Sequence, residues 1–413
     1  MGNETAATPV AFFRQYVKTW VHGLATAAMT AFGTLTVVHR WFAVVALASY
    51  VAPLVGYYLV TRGPDEQRGQ TTDRSSSDED RAAEPPTTIG EVGEPGWRTA
   101  DLPTEADLAD VAVAEGTAHA VGSGGVVLAG ESTEDDARQL DWEVALADGP
   151  AARGNDLAGV DATADGDAVW VAGSSGALGR IDPESGRHVD FSAPLDLTDD
   201  WTDVSVARDA GTGGEDAGTG GEDAGTGGED AGEETLVLAT GSGELLFGRY
   251  RDGDCTWDGP MKPGSGSSIA AVSLLTPTAG FCCDTNDGVF ELSGDPHASS
   301  LDAERVGVAA DGTPAGLSAV DSRSCLVAAT DGVAHRYETG RWTPERVTDE
   351  ALLDVAWAGE AVALSSDDVY RRTGPGDWTA DEVGVVRNLT GVAGDVGLVV
   401  AVGDEGTVVE RHG

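Results

Sequence analysis

The sequence predicts an all-β fold, a seven-bladed β-propeller closed by its terminal strands (velcro closure) and preceded by an N-terminal transmembrane helical segment. Three observations predict this arrangement. A strand pattern recurs seven times after residue 96, a tryptophan segment that would complete the last repeat precedes the first one, and an uncharged apolar stretch lies near the N-terminus. The composition agrees, because 57 glycines in 413 residues suit short strands joined by tight turns.

The apolar stretch Trp41–Val60 contains no charged residue and lies between two arginines. About 20 such residues are enough for a helix to cross the hydrocarbon core of a bilayer. We therefore expect a transmembrane helix within residues 41–62. Residues 1–40 form either an amphipathic segment at the interface or a second, less apolar membrane segment, because Thr19–Val38 is also uncharged.

The number of spans decides on which side of the membrane the propeller lies. With one span, Arg14, Lys18 and Arg40 precede it and an acidic chain soon follows it, so the positive-inside bias places the propeller outside. With two spans the propeller is cytoplasmic. We favour one span and expect a cell-membrane protein with an extracellular propeller. Residues 63–95 are too polar to offset their ordering entropy and are expected to form a disordered acidic linker.

The formal charge of the chain is −45, and the acidic residues are spread along its whole length. This pattern resembles proteins of extremely halophilic archaea, in which dense carboxylates keep the surface hydrated in salt. Nucleic acid is disfavoured as a partner, because no basic patch is present to neutralise phosphates.

The repeat consists of an apolar residue, two variable residues and a valine. Its seven occurrences are Leu108–Val111, Leu157–Val160, Trp201–Val204, Ile269–Val272, Leu317–Val320, Leu352–Val355 and Leu389–Val392. A second apolar run, a turn rich in Gly, Asp and Ser, and a third apolar run follow each occurrence, which is typical of β-hairpins. Each repeat therefore supplies three strands of a blade.

The longest interval between repeats contains a low-complexity insertion at residues 209–233, in which DAGTGGE is written three times. Its glycine and aspartate content faintly resembles calcium-binding nonapeptide repeats, but the period is seven and the apolar residue of those repeats is missing. We expect a solvated loop of the propeller without a metal.

A bulky residue before the next repeat marks a fourth strand. The six positions are Trp142, Phe191, Trp257, Val306, Trp342 and Trp378. The seventh repeat has no such residue after it, but GWRTADLPTEADL from Gly96 matches GRWTPERVTDEALL from Gly340. Trp97 is therefore assigned to the outer strand of the last blade. A blade cannot bury both of its faces alone, so blades stack around an axis and the bulky residues are expected to pack between them.

Residues 96–413 resemble the WD/YVTN/BNR-like repeat β-propellers and are similar to photosystem II stability and assembly factors. The turn RDGDCTW, from Arg251 to Trp257, keeps the pattern of that group best, whereas Gly340–Trp342 and Gly376–Trp378 keep only its end. The resemblance implies a protein-binding scaffold, or an assembly or stability factor, for a membrane or envelope complex. The partners it implies are the lipid bilayer and a protein of that complex.

The sequence contains no recognisable catalytic motif. Its seven histidines are isolated from one another, and GxSxG, HExxH and phosphate-loop motifs are absent. We therefore expect no enzyme, no cofactor and no metal. The alternative is a propeller enzyme, or a sensor of small ligands or glycans, that acts at the central channel.

The four cysteines form no CxxC pair, which disfavours zinc. They are Cys255, Cys282, Cys283 and Cys325. Either all four are small buried residues, or two of them form a disulfide whose connectivity the spacing does not give.

Two surface features are candidates for recognition. Asp287, Asp331, Asp367 and Asp404 occupy comparable hairpin turns and would ring one face of the propeller, although turn formation alone also explains them. Asn388 begins an Asn-Leu-Thr glycosylation sequon at the entry to the last blade.

Overall fold

The computed structural model describes residues 96–132, 139–208, 232–295, 300–308, 310–384, 386 and 388–413. Within these ranges the chain forms 28 strands in seven four-stranded antiparallel sheets. None of the helices in these ranges has the length and apolar character needed to cross a bilayer. The amphipathic or second membrane segment predicted at 1–40, the transmembrane helix predicted at 41–62, the linker at 63–95 and most of the loop predicted at 209–233 lie outside the described residues.

The strands follow one another in chain order, beginning with the two-residue strand β1 (Arg98–Thr99). Blade 1 contains β2 (Leu108–Ala114), β3 (Thr117–Gly122), β4 (Val127–Ser132) and β5 (Leu140–Leu146). Blade 2 contains β6 (Leu157–Ala162), β7 (Val169–Gly173), β8 (Leu178–Asp182) and β9 (Arg187–Asp190). Blade 3 contains β10 (Trp201–Arg208), β11 (Glu234–Thr240), β12 (Leu245–Arg251) and β13 (Asp254–Met261).

The next three blades are built in the same way. Blade 4 contains β14 (Ile269–Thr276), β15 (Ala279–Asp284), β16 (Val289–Ser293) and β17 (Asp302–Arg305). Blade 5 contains β18 (Pro314–Asp321), β19 (Ser324–Ala329), β20 (Val333–Glu338) and β21 (Arg341–Arg346). Blade 6 contains β22 (Asp354–Trp357), β23 (Ala361–Leu364), β24 (Val369–Gly374) and β25 (Asp377–Asp381).

Blade 7 joins the two ends of the described chain. It contains β26 (Leu389–Gly394), β27 (Leu398–Gly403) and β28 (Thr407–His412), with β1 as its outer strand. Arg98 pairs with Glu410 and Thr99 with Val409. The seven blades and the terminal-strand closure predicted from the sequence are thus confirmed.

One predicted repeat is displaced. The innermost strand of blade 5 carries the repeat motif at Pro314–Leu317, and the prediction Leu317–Val320 was wrong by three residues. In blade 1 the pairing register with the second strand shifts between the first and third motif residues, Leu108 and Asp110. In blade 5 the same shift lies between Pro314 and Gly316, so these are the equivalent positions. A proline in the first motif position hid the repeat, and a chance Leu-Ser-Ala-Val spacing imitated it.

Seven apolar clusters of described residues each lie between two neighbouring blades. The bulky outer-strand residues belong to these clusters or pack against them, as predicted. Trp142, for example, is 6% exposed between blades 1 and 7, and Trp97 packs between blades 6 and 7. The outer strands thus add apolar surface to the blade interfaces that hold the ring together.

All four cysteines are free thiols, so no disulfide is formed. Cys282 and Cys283 belong to clusters on opposite sides of β15, as expected for adjacent residues of a strand. Burial raises the pKa of the Cys255 thiol to about 12 and raises the pKa of Cys283 and Cys325 further still. These thiols are poorly ionised and serve as core residues.

Candidate functional site

The innermost strands of the seven blades surround a central channel with a cavity of about 210 Å³. Four carboxylates line it. They are Asp110, Asp161, Asp203 and Asp354. No lysine or arginine is found among the described residues of this wall. The channel therefore gathers four acidic side chains at the axis of the ring.

The repeat motif itself places these acids. Asp110, Asp203 and Asp354 are the third motif residues of blades 1, 3 and 6, and the other blades have glycine or alanine there. The small residues have a steric cause. A Cβ added to Gly316 would overlap the Asp354 carboxylate, and one added to Gly159 would lie 2.8 Å from the Asp203 Cα. Two neighbouring blades therefore do not both carry an aspartate at this level.

Each of the three third-position carboxylates connects two neighbouring inner strands. One oxygen accepts the backbone N–H of the next residue in its own strand, and the other accepts a backbone N–H from the following blade. The donor pairs are Val111 and Val160 for Asp110, Val204 and Val272 for Asp203, and Val355 and Val392 for Asp354, at 2.7–3.0 Å. The acids thus bind the blades together as well as lining the channel.

Asp161 and the hydroxyl groups of Ser205, Ser273 and Ser318 form a second set of hydrogen bonds between blades, two residues further along the inner strands. Asp161 accepts the Ser205 hydroxyl at 2.7 Å, and the Ser205 oxygen accepts the Leu274 backbone N–H at 2.9 Å. Ser273 and Ser318 accept backbone N–H groups of the next blades in the same way. Sequence reasoning missed this network, because aspartate or serine at alternate strand positions also fits a solvent-facing side of a strand.

Burial in the channel raises the pKa of every one of these acids. Burial and repulsion by Asp354 raise the pKa of Asp110 to about 8. Burial raises the pKa of Asp354 to about 7 and that of Asp161 to about 6. Burial and repulsion by Asp110 raise the pKa of Asp203 well above its ordinary value. The backbone donors act in the opposite direction but do not cancel burial.

This ring predicts an unusual pH dependence of stability. A carboxyl whose pKa is raised in the folded state holds a proton that the unfolded chain has already lost, so its stabilising contribution disappears as pH rises through the folded pKa. We expect the free energy of unfolding to fall between about pH 6.5 and pH 8.5, where ordinary carboxyls do not titrate. Denaturant unfolding at constant salt measures it.

The control variant for this prediction is Asp110→Asn, which removes one titrating group from the ring. We expect its unfolding free energy to depend less on pH over the same interval, even though the lost acceptor lowers its stability at every pH. Two buried histidines, His119 and His335, have lowered pKa values and oppose the trend only at more acidic pH. An equal pH slope in the two proteins would contradict the prediction.

The chemistry that the channel offers is attraction of positive charge. Each carboxylate already accepts backbone hydrogen bonds, and the described chain contains no group of three or more His, Cys, Asp or Glu side chains placed to hold a metal ion. A cation that enters the channel would favour the charged forms of these acids over their protonated forms, so cationic side chains and small cations are the groups best suited to bind there.

The four aspartates predicted from the hairpin turns lie on one face. Asp287, Asp331, Asp367 and Asp404 occupy the turns between the second and third strands of blades 4 to 7. We call this side, which also carries the connections between blades, the loop face. Asp287 and Asp367 are exposed. Asp331 accepts the Val333 backbone N–H at 3.3 Å and Asp404 accepts the Asn388 side-chain amide at 2.8 Å, so two of them also shape their turns.

The sequon residues lie at the edge of the same face. Asn388 is exposed and has a φ of 43°. The Thr390 hydroxyl donates to the Leu108 carbonyl at 2.8 Å, which connects the sequon to blade 1. Glycosylation of Asn388 stays a prediction.

The loop face also presents a strained segment that sequence reasoning missed. Ala193, Leu195 and Asp196 all have φ between 53° and 61°, which is costly for residues other than glycine. Leu195 is nevertheless 52% exposed. The bond from the Ala193 N–H to the Gly176 carbonyl, at 2.8 Å, holds this segment against the neighbouring turn. An apolar side chain is thus displayed among acidic loops on a constrained backbone.

Comparison of the chain with protein-family models and with curated proteins gives no match. Solved structures do match. The WD40 β-propeller domain of Doa1 is 8% identical, with a TM-score of 0.55 over 77% of this chain and 97% of that one. The fold is a WD40-like seven-bladed β-propeller. A chain of the mitotic checkpoint complex is 11% identical, with a TM-score of 0.55 over 83% of this propeller chain and 99% of the other.

The U3-55K structure is 12% identical, with a TM-score of 0.55 over 77% of this WD40-like chain and 99% of that one. Identities this low establish the fold alone. The resemblance to photosystem II factors and the haloarchaeal type of the sequence therefore stay predictions.

Proposed function

We propose that this protein is a membrane-anchored scaffold that binds a protein partner through the loop face and supports a membrane or envelope complex. The observation that carries the proposal is the composition of that face, where acidic turns of four successive blades accompany the strained and exposed Leu195. Such a surface suits a partner with basic residues around an apolar contact, because opposite charge speeds association and an apolar anchor adds affinity.

The strand direction supports the use of this face. Because β1 runs toward the loop face, the described chain begins at the opposite face, at Gly96. The described chain therefore enters the propeller on the side away from the loop face. The apolar stretch Trp41–Val60 supplies the anchor in this proposal, and a single span places the propeller outside the cell. A role in assembly is also consistent with the occurrence of this fold in the mitotic checkpoint complex.

The proposal predicts a stoichiometric partner in gently solubilised membranes. The test variant changes all four loop-face aspartates to asparagine, at Asp287, Asp331, Asp367 and Asp404, and we expect it to weaken partner binding by about tenfold or more. The matched control removes the same charge from exposed aspartates elsewhere, at Asp252, Asp254, Asp302 and Asp377. Quantitative affinity purification of the full chain measures both.

Two outcomes would contradict the proposal. One is a monomer recovered without a partner, and the other is equal weakening by the two sets of substitutions, which would indicate a response to net charge alone. Protease added to intact cells tests the side of the membrane, because an extracellular propeller is digested and a cytoplasmic one is protected.

A further inference from the structure

The face opposite the loop face displays apolar side chains. We call it the turn face, since it carries the turns between the first and second strands of each blade and between the third and fourth. Five large hydrophobic residues of the described chain are exposed, and three of them, Leu275, Trp357 and Val396, are on or beside the turn face. Val396 is 90% exposed in the turn between β26 and β27. Leu275 belongs to blade 4, whereas Trp357 and Val396 belong to the neighbouring blades 6 and 7, and exposed apolar groups on adjacent blades mark a candidate interaction site.

Apolar side chains line both the turn-face end of the channel and the neighbouring groove that contains Val396, and Glu115 and Asp395 also line this groove. Trp357 and Val113 line the turn-face end of the channel. Val113 also lines a neighbouring groove of about 660 Å³, together with Ala114, Val396 and Leu398. One docked segment can therefore contact the channel mouth and the groove at once.

Acidic side chains lie directly behind this apolar mouth. Counted from the start of the repeat motif, Asp161 is the fifth residue of its blade, whereas Asp110, Asp203 and Asp354 are the third residues of theirs. The three third-position acids therefore lie about 7 Å further from the turn face than Asp161. Asp161 is thus the channel carboxylate nearest the turn face, and Glu115 and Asp395 lie outside it in the groove. An arginine or lysine side chain long enough to pass Trp357 reaches this level with its charged end and buries its methylene groups against the mouth.

We propose that the turn face is a second protein-binding surface, which accepts a segment carrying an apolar side chain beside an arginine or lysine. The apolar side chain occupies the groove between Val113 and Val396. The cationic side chain enters the channel past Trp357 and is attracted by Asp161 and the deeper carboxylates. This inference is independent of the loop face.

Charge and apolar surface together determine this choice of occupant. An apolar segment alone makes no use of the channel acids, whereas a cation beside them favours their charged forms and is attracted by them. A membrane surface contacts Val396 but cannot place a cation inside the channel. A segment that combines both groups satisfies the groove and the channel together.

The test uses the full chain and a library of random short peptides. We expect selection to enrich peptides in which arginine or lysine neighbours an apolar residue. A synthetic peptide of the enriched sequence should lose affinity by about tenfold when its basic residue is replaced by glutamine, and by a similar factor when the protein carries Val396→Asp, as for an interface hot spot. Fluorescence anisotropy measures both changes.

Matched variants separate the possible results. Val144→Asp changes a 41% exposed valine on the outer strand of blade 1 and should leave peptide affinity unchanged. The quadruple loop-face aspartate variant should also bind the peptide normally, which distinguishes this surface from the one proposed above. Enriched peptides without a basic residue, or peptides insensitive to Val396→Asp, would overturn the inference. So would binding to phosphatidylglycerol vesicles that Val396→Asp abolishes while no peptide binds.

Discussion

Replacing Glu234 with alanine is expected to lower the free energy of unfolding by about 3–5 kcal/mol. The Glu234 carboxylate is fully buried and accepts hydrogen bonds from Arg180, Arg208 and Trp170, each with a bond of 2.7 Å. Burial alone would raise the pKa of Glu234, but these donors hold it below its ordinary value. Alanine would leave the Arg180 guanidinium, only 9% exposed, without this carboxylate.

The neighbouring residue supplies the control. Glu233 pairs with Arg249 at 2.9 Å, but its side chain is 38% exposed, so Glu233→Ala should cost no more than about 1 kcal/mol. Denaturant unfolding in constant high salt measures both variants, since salt screens the repulsion among surface acids. Similar decreases in the free energy of unfolding for Glu233→Ala and Glu234→Ala would show that the buried charge cluster stabilises the fold no more than an exposed ion pair does.

The pH dependence of the Glu234 effect has a definite sign. Because the folded pKa is lowered, the stabilisation by Glu234 is complete above the pKa of the unfolded chain and is lost as pH falls through the folded pKa. The difference between the wild-type protein and Glu234→Ala should therefore shrink under acid conditions. A difference that grew on acidification would contradict this account.

The blade count and the ring closure were accessible from the sequence for a physical reason. The first and fourth residues of each motif, such as Leu108 and Val111, are buried in every blade, so the apolar period survives when little else is repeated. Trp97 was assigned correctly because an outer strand needs a bulky residue to fill the interface between blades. The displaced motif at Pro314 shows the limit of this pattern, because a proline occupies the buried first position in blade 5 where the other blades have a large apolar residue.

The candidate site was less accessible. Asp110 and Asp354 stand at positions that a strand usually turns toward solvent, and only the closed ring makes that side a narrow channel. Glu234 follows an acidic insertion in the sequence, so nothing distinguishes it from its exposed neighbour Glu233 until Arg180 of the previous blade is brought against it. Contacts between blades depend on the ring closing, and local sequence patterns do not encode them.

Replacing Trp97 with alanine is expected to release β1 and to lower the free energy of unfolding by about 3 kcal/mol. The Trp97 indole N–H donates to Asp381 at 3.0 Å, and its ring packs between blades 6 and 7 with the Arg411 guanidinium 5.9 Å from the ring centroid. The strand itself has only two residues, so its pairing with β28 is short. Trp97 therefore supplies a large share of what holds the closing strand in place.

The equivalent tryptophan of blade 6 provides a matched control. Trp378 donates to Glu345 at 3.1 Å and packs between blades 5 and 6. Its strand β25, however, follows β24 through a tight turn, so β25 should stay paired with β24 when the Trp378 side chain is removed. Hydrogen exchange distinguishes the two cases. In Trp97→Ala the amides of β28 should exchange faster because their edge is uncovered, whereas in Trp378→Ala they should keep wild-type protection. Unchanged exchange of β28 in Trp97→Ala would mean that pairing of β1 alone closes the ring, and that the blade interface contributes little to holding its two ends together.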